Sequence, residues 1–163
     1  MRIAKGFTLL ESLISIAVLS FAIIVIFYAY TASMRLFTGE LSEFDASFQA
    51  HKAMELMTKE LRSALEIESA SGTSISFWSA DLNKNGTRDE NETATYSWTG
   101  TIEGFINRTV QSSTQEIATG VESLNLTYDD PQPSNIRFIN IIITVRKDST
   151  PVTLESGVKC RNL

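Results

Sequence analysis

The sequence predicts an α+β fold: a long N-terminal helix, a membrane half followed by an amphipathic half, packed on an antiparallel β-sheet. Three observations predict it. Ser12 through Met34 contains no charged residue, proline or glycine. From Arg35 the apolar residues fall mainly into three- and four-residue steps, the period of one helical face. After Ser69-Ala70-Ser71-Gly72 the vocabulary becomes β-like, with short polar turns between apolar runs. A helix followed by a run of strands gives an α+β domain.

The apolar run comes first. Its 23 residues span roughly 35 Å as a helix, enough for a hydrocarbon core of about 30 Å. Arg2 and Lys5 precede it and stay cytoplasmic under the positive-inside bias, which puts the C-terminal body on the far side. Tyr28 and Tyr30 lie near the far end, where aromatic rings favour the membrane interface. A secretory signal peptide has a shorter apolar run followed by a small-residue cleavage site. Here the run flows straight into the amphipathic pattern, so cleavage at its end would cut a continuous helix. A plain single-span anchor fits the hydrophobicity but gives no reason for Glu11 at the mouth of the run. A carboxylate at the centre of a membrane helix costs on the order of 3 kcal/mol, and less near an end. Glu11 is either a functional acid or a solvated one favoured by the helix dipole.

The stretch Lys5-Gly6-Phe7-Thr8-Leu9-Leu10-Glu11-Ser12 resembles the class III signal of type IV prepilins and type II secretion pseudopilins: a basic leader, Gly, Phe, a Glu four positions after the Phe, then an apolar helix. The resemblance implies cleavage between Gly6 and Phe7 by a prepilin peptidase on the cytoplasmic side, N-methylation of Phe7, and retention of the helix. Glycine before the scissile bond lets the backbone extend into a protease without side-chain obstruction. In the family pattern the Glu11 carboxylate pairs with the Phe7 amine of a neighbouring subunit and sets register; a paired charge is tolerable in an apolar bundle where a lone one is not. Glu11 also argues against the family's tip subunit, which typically lacks this acid. The expected organisation is a leader at 1–6, a transmembrane and filament-core helix at 7–34, an amphipathic helix at 35–70 and a β-rich body at 71–163.

In the amphipathic half, Leu41, Phe44, Phe48, Met54, Met57, Leu61 and Leu65 form the expected packing stripe. Glu43, Asp45, Lys52, Glu55, Lys59, Glu60 and Arg62 form the opposite face. Gly39 costs the helix about 1 kcal/mol relative to Ala; it is either a tolerated glycine or a joint. His51 is the only histidine and reads as a partly exposed helix residue. Beyond it, the expected strands are Ser74–Ser79, Thr93–Trp98, Ile102–Arg108, Val121–Tyr128, Ile136–Arg146 and Val152–Val158, with a tight turn at Thr99-Gly100 and a loop at Asp129–Ser134. This order loosely resembles larger minor pilins and J-type pseudopilins. Many major pilins close on a cysteine pair; here Cys160 is the only cysteine, so no intrachain disulfide exists.

Asp81 to Glu92 matches the twelve-residue calcium-loop pattern. Asp81, Asn83, Asn85 and Asp89 put oxygen side chains at the first, third, fifth and ninth positions. Gly86 marks the sharp turn, Thr87 offers a carbonyl, and Glu92 is placed for two-oxygen ligation. The flanks read as strands, so this is not an EF-hand, and two neutral Asn weaken the site. The loop is either one structural Ca2+ site or a polar hairpin rich in turn formers.

The formal charge is −5, and −7 once Arg2 and Lys5 leave with the leader. An acidic body does not attract phosphate backbones at long range, so bulk nucleic-acid binding is disfavoured. No Ser/His/Asp or Cys/His set, phosphate loop or zinc spacing occurs, so the chain reads as no enzyme. The resemblance implies a minor pilin or pseudopilin that helps initiate or assemble a type IV pilus or a type II secretion pseudopilus. Its implied partners are other pilin or pseudopilin subunits, the prepilin peptidase, and the inner-membrane assembly platform with its ATPase. Its implied place is the bacterial inner membrane, crossed once with the body periplasmic, and then the filament. The alternative is a pilin-like binding module, an adhesin or a DNA-uptake subunit.

Overall fold

The computed structural model describes residues 8–148 and 150–161. One helix, α1, runs Leu9–Ser63 without a break at Gly39. Seven strands follow: β1 (Glu66–Ala70), β2 (Ser74–Trp78), β3 (Thr93–Trp98), β4 (Gly104–Val110), β5 (Ser113–Tyr128), β6 (Phe138–Lys147) and β7 (Thr150–Lys159). They form a single antiparallel meander in sequence order. The chain divides at Glu40/Leu41 into two compact units, a helical head and a body.

Among its described residues the head is helix from Leu9 onward. From Leu9 to Tyr30 its large apolar side chains are exposed, and it carries a stretch long and apolar enough to cross a membrane. Among the described residues of the head nothing covers this surface, and lipid or other chains are what can bury it.

In the body, α1 packs on one face of the curled sheet. The buried helix residues are Ala46, Ala50, Ala53, Met54, Met57 and Leu61. They join Ile67, Phe77, Tyr96, Ile106, Leu124, Ile141 and their neighbours in one core. Period-two alternation supplies the sheet side: Ile139, Ile141, Ile143 and Val145 are buried on β6 while the residues between them are not. Phe77 and Tyr96 stack across β2 and β3 with ring centroids 5.8 Å apart.

Four expectations are corrected here. Leu41, Phe44 and Phe48 do not face the sheet; they are exposed, and Ala46, Ala50 and Ala53 take the inner face. Small residues let a helix backbone lie close to the sheet, and no hydrophobicity pattern built on large side chains detects them. The helix does not reach residue 70: it ends at Ser63, and Glu66–Ala70 is an edge strand. Its alternation, with Ile67 in and Glu66 and Glu68 out, satisfies β2 rather than another helical turn, and the pairing begins where Leu65 N–H donates to Trp78 O at 2.9 Å. β5 begins at Ser113, not Val121: the strand runs on through a positive-φ glycine, with register shifts beside it. Gly120, at φ +70, has Arg146 O 2.9 Å from where a Cβ would stand. The first half of β5 pairs with β4 and the second half with β6. Ile102, expected in a strand, sits exposed in the β3–β4 loop before β4 starts at Gly104.

Asp45 on α1 and Lys147 at the end of β6 form an ion pair. The hydrogen bond from Lys147 holds the Asp45 carboxyl below its ordinary value of 3.8. A depressed folded value stabilises the fold above the unfolded carboxylate pKa, and that contribution disappears as pH falls through the folded value. Acid unfolding therefore separates wild type from Asp45→Asn fully above about pH 4, and the two curves converge as pH falls on through the lower folded value. Curves equally far apart at pH 2 would contradict this pairing.

Candidate functional site

Three places gather polar or charged side chains on the predicted elements. The first is the head of α1. Gly6 and Phe7, the processing pair expected from sequence, lie outside the described residues. Thr8 precedes the helix, and its Oγ1 accepts the Glu11 N–H at 3.3 Å. Thr8-Leu9-Leu10-Glu11 thus has the spacing of a capping box, with the threonine half made. The Glu11 side chain stands exposed in the first turn. Its anchored backbone and acidic head leave a carboxylate presented at the N-terminal edge of an uncovered apolar surface. The capping role of Thr8 was legible in the T-x-x-E spacing but overshadowed by the stronger Gly-Phe-Glu signal.

The second is the loop between β2 and β3. Glu92 is fully buried. Its Oε1 accepts N–H groups from Leu82 at 2.7 Å and Asn83 at 3.4 Å, and its Oε2 accepts the Asp89 N–H at 3.2 Å. Asp81 accepts the N–H groups of Asn85 at 3.2 Å and Gly86 at 3.0 Å. Asn83 Nδ2 donates to Asp89 Oδ2 at 2.6 Å, and Asn85 Oδ1 accepts the Thr87 N–H at 2.7 Å. Gly86 has φ +72, the left-handed conformation that glycine adopts without strain. The loop therefore brings Asp81, Asn83, Asn85, Asp89 and Glu92 into one hydrogen-bonded knot. Among the described residues no three His, Cys, Asp or Glu side chains form a metal-ligating group. A cation here would need Asn and main-chain oxygens beside the carboxylates, as hard cations with six to eight ligands commonly do.

The third was not found from sequence. Glu60, expected on the solvent face, turns to the sheet. Arg108 Nε lies 3.1 and 2.9 Å from its two oxygens and Nη2 lies 2.9 Å from Oε1. Tyr96 O–H donates to Glu60 Oε2 at 2.6 Å. Burial, followed by the Glu60 carboxylate, raises the Tyr96 phenol far above its ordinary pKa, so it remains a donor. These groups are partners to one another, and the cluster ties helix to sheet. A residue read as solvent-facing by spacing alone can still be recruited when a strand places an arginine opposite it. Cys160 is buried, and burial pushes its thiol up, so it is an inert core side chain. His51 is exposed on α1.

Residues 1–27 match the family model described as the prokaryotic N-terminal methylation motif. That motif is the class III signal of type IV pilins, and the matched residues include Gly6, Phe7, Glu11 and the apolar start of α1. No curated protein matches the chain.

Proposed function

We propose that this type IV pilin-like chain is a minor pilin or pseudopilin, a structural subunit that helps initiate or assemble a type IV pilus or a type II secretion pseudopilus. One observation carries the reading: the methylation motif opens onto a helix whose apolar surface is left uncovered among the described residues. The motif implies processing by a prepilin peptidase and assembly with other pilins, and it points to a structural role rather than catalysis. The signal and the apolar helix fit membrane anchoring. In the proposed cycle the helix first sits in the inner membrane with the body periplasmic. The peptidase cuts between Gly6 and Phe7, Phe7 is N-methylated, and the assembly platform with its ATPase lifts the helix into a bundle. There Glu11 meets the Phe7 amine of a neighbour. A size-fractionated shear preparation from the native host tests the role: the subunit should cofractionate with filaments at low abundance. Recovery only in the membrane fraction, with filaments present, would contradict it.

The Asp81–Glu92 loop is assigned a structural Ca2+, held by Asp81, Asn83, Asn85, Asp89, Glu92 and the Thr87 carbonyl. The ion would supply charge that offsets the three carboxylates and fixes the β2–β3 connection. Extracellular calcium modules bind at about 10⁻⁴–10⁻³ M, so 10 mM Ca2+ should stabilise the body by roughly 1.4–2.7 kcal/mol. Melting curves with and without the ion read this as a rise of several degrees that the Asp81→Ala/Glu92→Ala double variant loses. An unchanged melting temperature in wild type would reject the site.

A further inference from the structure

We infer that a polar groove on the outer face of the sheet, between the β2–β3 loop and the tip of the β4–β5 hairpin, binds a neutral sugar, a hexose or N-acetylhexosamine unit. The inference goes beyond the filament-subunit reading and does not need it, since a subunit can assemble with this groove empty.

The face of the sheet turned away from α1 carries hydroxyls in register. Ala94 and Tyr96 are buried, so Thr95 between them points outward. Thr95 stands opposite Ser76 on β2 and Thr109 on β4, and Thr109 stands opposite Thr114 on β5. Directly opposite residues share a face, so these side chains form one row across the strands. Thr95 Oγ1 donates to Ser76 Oγ at 3.1 Å, and Ser76 Oγ donates to Glu68 Oε2 on β1 at 3.3 Å. The Thr109 and Thr114 hydroxyls share a bond of 3.0 Å. Thr93, Thr95 and Thr109 line a groove of about 480 Å³, within the roughly 300–1,000 Å³ of small-ligand sites.

Two walls hold this groove in shape. One is the β2–β3 loop. Trp78 Nε1 donates to Ala80 O at 3.0 Å, Ser79 Oγ donates to Glu92 O at 2.8 Å, and the buried Glu92 carboxylate binds the loop's main chain. From this wall Arg88 reaches Glu68 at 3.2 Å. The other wall is the hairpin tip, where Gln111 takes φ +55, a left-handed conformation that side chains other than glycine seldom adopt. Among the described residues, the Thr93 hydroxyl, the Gln111 amide and the Ser112 hydroxyl line the groove without a side-chain hydrogen bond.

The lining selects the ligand. Hydroxyls, an amide and a guanidinium–carboxylate pair offer donors and acceptors together, which suits a ring bearing several O–H groups. A phosphate strand would meet Glu68 and Asp89 in the lining, where Arg88 is the one cation among the described residues. Lys84 belongs to the same loop but does not line the groove, and Glu116 follows Thr114 along the same face of β5. On a chain of net charge −5 these acids disfavour a polyanion. A peptide strand needs unpaired main chain to add to, and β3 and β4 under the groove are paired on both sides.

The test uses the full chain in a phosphocholine detergent, which carries no sugar of its own. Saturation-transfer NMR is recorded against glucose, galactose, mannose and N-acetylglucosamine, each at roughly 10 mM, because a few neutral hydrogen bonds in an open groove support a Kd of about 1 mM. At least one of these sugars should bind. Thr93→Val/Thr109→Val removes two hydroxyls at nearly constant shape, with a residue that suits a strand, and should weaken that sugar roughly tenfold. Gln111→Gly should weaken it about threefold while relaxing the left-handed turn, so its effect does not come from unfolding. Thr144→Val/Thr153→Val is the control. It removes a hydroxyl pair bonded at 3.1 Å from β6 and β7, on the same sheet face but outside the groove, and should change nothing. Silence from every sugar overturns the proposal. So does binding that survives both Thr93→Val/Thr109→Val and Gln111→Gly, or binding that Thr144→Val/Thr153→Val weakens equally.

Discussion

Glu11→Val should leave the chain cleaved and anchored in the membrane yet exclude it from the filament. Cleavage is spared because the change lies beyond the scissile bond, and anchoring is spared because valine adds apolar length. The helix start also survives: Thr8 Oγ1 holds the residue-11 main-chain N–H, and losing an exposed acid at a helix N-terminus costs only about 0.3–1 kcal/mol. Assembly is different. Without the carboxylate, the neighbouring Phe7 ammonium enters an apolar bundle without its counter-charge, and breaking one side of a buried pair costs about 3–5 kcal/mol. That corresponds to roughly a hundredfold or more in the assembly equilibrium. The measurement is the ratio of filament-bound to membrane-bound subunit by quantitative immunoblot, with intact mass reporting cleavage. Glu11→Gln, which keeps shape and hydrogen bonding, should fall between. Wild-type incorporation of the valine variant would show that Glu11 is only a helix-terminal acid.

The second large effect lies in the body. Arg108→Ala should destabilise the fold by about 2–3 kcal/mol, somewhat below the 3–5 kcal/mol of a fully buried pair, because Arg108 and Glu60 keep 25% and 21% of their side-chain surface. The Glu60 carboxylate would remain between helix and sheet with only Tyr96 as a partner. Glu60→Ala should cost a similar amount, since it orphans Arg108 and the Tyr96 hydroxyl together. The singles should not add: the Glu60→Met/Arg108→Met double variant removes both charges and should recover much of the loss. Urea unfolding of the four proteins measures this. Additive losses would mean the pair does not act as a unit.

What the sequence revealed and what it hid divide along physical lines. The apolar head was legible because 23 residues without a charge admit few readings, and residues 1–27, which contain Gly6, Phe7 and Glu11, match the N-terminal methylation motif. The α+β class and six of the strands followed from alternation. The helix orientation in the body followed only in part. Met54, Met57 and Leu61 are buried as expected, but Phe44 and Phe48 are larger than Ala46 and Ala50, so a reading weighted by hydrophobicity put the wrong residues inward in the preceding turns. Size, not hydrophobicity, decided which side met the sheet. β1 was lost to helix because EIESA at Glu66–Ala70 suits a helix locally and becomes a strand only through its pairing with β2. The first half of β5 was lost because Ser113–Glu116 is polar and Gly120 reads as a break. The β2–β3 loop was placed correctly by its Asp/Asn spacing. The Glu60–Arg108–Tyr96 cluster spans 48 residues of sequence, and no local pattern could have joined its members.

The most direct test of the central claim is the N-terminus of the mature protein, read by intact mass and terminal sequencing of material extracted from native membranes and filaments. The account predicts a chain beginning at N-methylated Phe7, with Met1 to Gly6 absent and the apolar helix retained. A chain that still begins at Met1, or one that begins beyond Met34, would contradict it.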